Sequence, residues 1–137
     1  MLLFCYGSLE FEAVMREVTG RSFAGEPAAL DGFARYRVRD AHYPGLVPEP
    51  GAQTPGTLYR ALDAAALAAL DRFEGALYAR RTLEVVRLRD ATPARAEVYV
   101  VRDAHRHTLT AEPWDRSDFA RDHLAAFLAQ LRGQPAR

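Results

Sequence analysis

Apolar and polar positions change rhythm several times along this chain, and each change marks an element. Residues 2–6 are apolar without interruption, as in a strand buried on both faces, and Gly7 ends the run. From 9 to 18, Leu9, Phe11, Val14, Met15 and Val18 recur at helical spacing, with Gly20 as a stop signal. Residues 22–30 and 33–38 alternate as strands do, divided by Asp31-Gly32, a pair that predicts a hairpin turn. Prolines bound 43–48, which predicts an edge strand or a loop. Residues 49–55 predict a loop long enough to flank a pocket mouth, and 56–61 a strand.

Asp63 is placed to cap the next helix, with Leu62 and Leu67 as the apolar pair that brackets its start. Leu67, Leu70 and Phe73 share a face, and Gly75 ends the helix. Residues 81–88 and 95–101 predict a second strand pair, joined through Asp90-Ala91-Thr92-Pro93. A helix is predicted over 117–132, with Phe119, Leu124, Phe127, Leu128 and Leu131 on its buried face. Gly133 stops it, and Trp114 is expected to anchor it to the sheet. Strand pairs punctuated by helices, without regular alternation, predict an α+β fold. Periodicity leaves open whether the sheet closes on itself.

Length and composition narrow the picture. A chain of 137 residues, 49% hydrophobic, is expected to form one domain over 1–137 with a substantial core. Eighteen cationic and eighteen anionic side chains balance, so no basic field invites nucleic acid or an anionic membrane. All the cations are arginine, which excludes a Schiff-base lysine and a P-loop lysine. The single Cys5 sits in an apolar strand and reads as core; a cytoplasmic location is expected. No secretory leader is expected at the amino end, and no apolar run approaches the ~20 residues of a membrane span.

Two stretches carry candidate chemistry. Tyr6-Gly7-Ser8-Leu9 breaks a strand into a turn, leaving successive N–H groups free to hold a carboxylate, a phosphate or a developing oxyanion. The same residues also suit an ordinary tight turn. Glu74 falls at the end of the alanine-rich helix, beside its negative pole, a poor place for a charge and a good one for a proton acceptor. A solvated helix-end glutamate is the plain alternative. Asp71 is expected at the surface or paired with Arg72 or Arg80. Tyr78 and Arg80 alternate at strand spacing. His105-Arg106-His107 would offer two imidazoles if extended, but no second cysteine or suitably spaced acid completes a metal site, and none is expected. Ser8 lacks the Gly-x-Ser-x-Gly elbow of a hydrolase nucleophile.

Together, Phe4-Cys5-Tyr6-Gly7-Ser8-Leu9, Leu70-Asp71-Arg72-Phe73-Glu74-Gly75 and Tyr78-x-Arg80 resemble the gamma-glutamylcyclotransferase-like superfamily. Tyr43-Pro44-Gly45-Leu46-Val47 and the lead from Trp114 to Phe119 are similar to its small gamma-glutamylamine cyclotransferase-like branch. The resemblance implies a mixed sheet curled into a small barrel with flanking helices. It implies conversion of a small γ-glutamyl compound, a γ-glutamylamine among the candidates, to 5-oxoproline and a free amine. Glu74 takes the place of the family's general acid/base, and Tyr6, Gly7, Ser8 and Leu9 its substrate-holding loop; Tyr78 is expected beside them. Neither cofactor nor metal is implied, and the partner is a small molecule. A non-catalytic module binding an acidic metabolite is the alternative. Where some members carry a basic residue after the turn, this chain has Glu10, which leaves the amine half of the substrate open. The oligomeric state is open too.

Overall fold

A computed structural model describes residues 1–133. Its strands are β1 (Leu3–Cys5), β2 (Gly25–Val38), β3 (Pro44–Tyr59), β4 (Tyr78–Arg87), β5 (Pro93–Val101) and β6 (Leu109–Pro113). Its helices are α1 (Glu12–Thr19), α2 (Ala64–Glu74), α3 (Arg116–Asp122) and α4 (Leu124–Arg132). The sheet runs β3-β1-β5-β4-β2, and a further β3–β2 pairing closes it into a five-stranded barrel, with β6 added along β2. The fold is α+β, as expected. β1 lies antiparallel to β3 and parallel to β5.

Strand alternation sorts the apolar side chains into two clusters. Phe4 and Tyr6 of the first run join Leu30, Leu58, Val98 and Val100 in a cluster drawn from all five barrel strands. Leu3 and Cys5 point the other way, to Leu67 and Leu70 of α2 and Val14 and Met15 of α1. The uninterrupted apolar stretch at the amino end is therefore filled on both faces. This is why it shows no polar alternation.

Four local expectations are corrected. Asp31-Gly32 is no hairpin turn: β2 runs through it, and the register against β3 shifts between Asp31 and Phe33. Gly32, at φ 80°, supplies the positive dihedral of a bulge, which draws on the same residue types as a turn. The reversal comes at residues 39–43, where Asp40 adopts φ 60°. Residues 49–55 belong to β3 rather than to a free loop. Pairing jumps from Pro48 to Gln53 on β3 while passing only Gly32 on β2, so residues 49–52 bulge from the ladder. The final helix is two helices, broken at His123, whose ring stacks on His42 with centroids 3.7 Å apart. Trp114 does anchor this region, its indole N–H donating to the His42 carbonyl at 2.7 Å. Lastly, His105 and His107 lie on a 3-10 turn (Asp103–Thr108), not an extended segment.

Candidate active site

α2 delivers Glu74. Asp63 caps its start by accepting the Ala66 N–H at 2.9 Å, and Ala66, Leu67 and Leu70 bury its inner face. Gly75 at φ 70° ends it, and a 3-10 turn (Gly75–Leu77) swings the chain into β4 at Tyr78. Glu74 is thus the last helical residue, as the glycine predicts.

The other half comes from the end of β1. A 3-10 turn over Ser8–Glu10 follows Gly7, and the N–H groups of Gly7, Ser8 and Leu9 meet no hydrogen-bond acceptor among the described residues. At Gly7 a Cβ would come within 2.9 Å of the Pro44 ring, so a side chain there is excluded sterically. From behind, the Tyr59 hydroxyl donates to the Leu9 carbonyl at 2.9 Å.

Both halves line one cavity of about 260 Å³. All the predicted site residues, Glu74, Tyr6, Gly7, Ser8, Leu9 and Tyr78, lie on its wall. The two phenols are committed to holding that wall. Tyr6 donates to the Tyr99 carbonyl at 2.5 Å, and Tyr78 to the Pro44 carbonyl at 2.6 Å. Burial raises both phenol pKa values, so each remains a neutral donor. Burial likewise raises the Cys5 thiol beside them, which stays protonated.

The two acids of α2 have opposite environments. Asp71 is partly desolvated, which favours its neutral form, but Arg80 at 2.9 Å and the Tyr99 hydroxyl at 2.7 Å hold its pKa below the ordinary range. It is a fixed anion. Glu74 is half-buried and accepts no hydrogen bond among the described residues. Desolvation pushes its pKa up to about 8. The direction matches the expectation, which rests on the helix-end position and on exclusion of water by Phe73, Leu77 and Tyr78, and desolvation is its cause. A carboxyl and a row of amides around one cavity, all without hydrogen-bond partners among the described residues, can move a proton beside a site that holds negative charge.

Tyr99, Phe127, Gln130 and Leu131 also line the cavity and were not assigned to the site from sequence. In the sequence Phe127 and Leu131 belong only to a helical apolar stripe, since spacing shows a buried face but not what it faces. Tyr99 and Gln130 carried no signal. His105 and His107 stand with ring centroids 6.4 Å apart, and no group of three metal-binding side chains occurs among the described residues.

The family model described as gamma-glutamyl cyclotransferase, AIG2-like, matches residues 3–116. The AIG2-like protein C of Arabidopsis thaliana is 31% identical over 130 residues, covering 95% of this chain and 75% of its own. A solution structure of an Arabidopsis thaliana protein superposes with TM-score 0.74 at 29% identity, over 96% of this chain and 79% of that one. A solved gamma-glutamyl cyclotransferase superposes with TM-score 0.70 at 16% identity, over 98% and 80%, a likeness of fold.

Proposed function

The chain belongs to the gamma-glutamyl cyclotransferase, AIG2-like family, and on that premise we propose that it converts a small γ-glutamyl compound to 5-oxoproline and a free amine. The observation that carries this reading is the Glu74 carboxyl, without a hydrogen-bond partner among the described residues, desolvated and in the wall of the cavity that Gly7, Ser8 and Leu9 line.

The substrate's own α-nitrogen attacks its γ-carbonyl carbon. The new C–N bond closes a five-membered ring, and the bond to the leaving nitrogen breaks. Holding an intramolecular reaction in attack geometry supplies much of the acceleration. No enzyme nucleophile is required. Glu74 takes the proton shed by the attacking nitrogen and returns it to the leaving nitrogen. An ordinary glutamate near pKa 4.3 lies about four units below an α-ammonium near 8, roughly 5 kcal/mol against that transfer. At about 8 the gap nearly vanishes. The turn amides receive the negative charge that develops on the carbonyl oxygen.

The test is a panel of γ-glutamyl compounds assayed for 5-oxoproline, with Glu74→Gln beside the native chain. At least one compound should be cyclised by the native protein, with turnover reduced about a thousandfold or more in the variant. If a folded Glu74→Gln variant keeps more than about a tenth of native turnover, Glu74 is not the proton carrier.

A further inference from the structure

Behind the turn lies a polar cluster that the reaction as written does not use. Arg35 of β2 reaches across the barrel end, donating from one guanidinium nitrogen to the Tyr6 carbonyl at 2.7 Å and to the Pro55 carbonyl at 3.2 Å. The charge is boxed in. The Trp114 ring centroid lies 5.0 Å from the guanidinium carbon, and a Glu10 carboxylate oxygen lies 3.7 Å from its nitrogen. Glu10, its side chain 6% exposed, also receives the Thr57 hydroxyl at 3.2 Å and faces Arg116 at 3.8 Å. Glu10 is thus tied to a structural pair behind the turn.

We propose that Arg35 is a positioning residue for the site, fixing the Tyr6–Gly7 peptide so that the Gly7 N–H is aimed at bound substrate. Peptide geometry sets where the amide points, and only what the amide then does rests on the cyclotransferase reading. A trans peptide is planar, with its C=O and N–H pointing in opposite directions. Arg35 holds the Tyr6 oxygen on the side of the peptide where Arg35 and Trp114 line a separate hollow. The N–H of the same unit is directed away from that hollow, and Gly7 lines the catalytic cavity. No other acceptor competes for this N–H among the described residues. A cation on the carbonyl also polarises the peptide, making its N–H a stronger donor. Arg35 does not line the catalytic cavity, so it acts through the amide.

Three readouts separate this role from general support of the fold, using Arg35→Met and Arg35→Lys in the full chain. In Arg35→Met the Gly7 amide proton should shift upfield in the substrate-free NMR spectrum. On a compound that the native chain cyclises, kcat/KM should fall at least about tenfold, since small misplacements of an aligned group carry large rate costs. The acidic limb of the pH profile should stay at its native position, because Glu74 is untouched. Arg35→Lys, which keeps the charge and one donor, should recover part of both losses. If Arg35→Met fails to fold, Arg35→Lys decides alone, by an intermediate Gly7 shift and a smaller loss of kcat/KM. An unmoved Gly7 resonance in either folded variant overturns the proposal, as does a displaced acidic limb. The resonance is read without substrate, so a native chain that cyclises nothing would defeat the functional reading and leave this one still decided.

Discussion

Glu74 is a residue whose proton is governed by what surrounds it, and that makes two measurements informative. The acidic limb of kcat/KM should fall near pH 8, with the rate dropping about tenfold per unit below it. Stability should answer in the opposite sense. At low pH the carboxyl is protonated in folded and unfolded chains alike and its burial costs little. Between the unfolded value near 4.3 and about 8 the unfolded chain releases a proton that the folded one keeps, so stability declines as pH rises. Glu74→Gln should therefore raise Tm, by more at pH 9 than at pH 5; an equal change at both would show that the native carboxyl is not desolvated. At Gly7 the constraint is the Pro44 ring, 2.9 Å from where a Cβ would stand. Gly7→Val should cut kcat/KM by at least about a hundredfold, while Ser8→Ala, which keeps every main-chain donor, should stay within about threefold. The reverse order would transfer the role to the Ser8 hydroxyl. Much of this was legible in the sequence because glycines write it: Gly7 marks where the strand opens, and Gly75 fixes Glu74 as the last helical residue. The desolvation was less legible. Phe127 and Leu131 line the cavity from a helix more than fifty positions along the chain, and no local pattern ties a stripe to the carboxyl it meets.

At the scale of elements, α2 is the part most completely specified by local signals. The Asp63 cap, the Leu62 and Leu67 pair and the Gly75 stop all agree with the observed span Ala64–Glu74. Asp63→Ala should cost ~1 kcal/mol, read as a lower urea midpoint at unchanged slope, with the acidic limb unmoved. The β2–β3 hairpin was less legible for a specific reason. Gly32 at φ 80° and the proline-rich residues 48–55 carry turn chemistry, yet they sit inside a ladder that pairs on both sides of them. A bulge and a turn draw on the same residues, and only the partner strand distinguishes them. The break at His123 is similar. Helical spacing continues through it, and what ends α3 there comes with a contact to His42, on a distant reversal.

At the scale of the molecule, barrel closure was implied by family resemblance rather than by period, and the pairings show why. Leu3 pairs with Tyr59 on one side and Glu97 on the other, contacts between distant parts of the sequence. Such contacts carry a loop-closure cost that must be met before they stabilise anything. The β4–β5 hairpin is local by comparison, with nine residue pairs in unbroken register. Val85→Ala, in that hairpin, should therefore slow folding, whereas Leu3→Ala should mainly speed unfolding, as separated by the two limbs of a chevron plot. Equal φ-values at the two positions would contradict this order. The three residues of β1 also hold the turn that carries the amides. Yet their parallel partner, Glu97, lies more than ninety positions further along the chain, and beyond Glu74 as well. Between the translation of Glu74 and that of Glu97 the nascent chain thus has its turn and its glutamate but not the parallel partner of β1, and the cavity, which Tyr99 also lines, can form only after β5 has been translated.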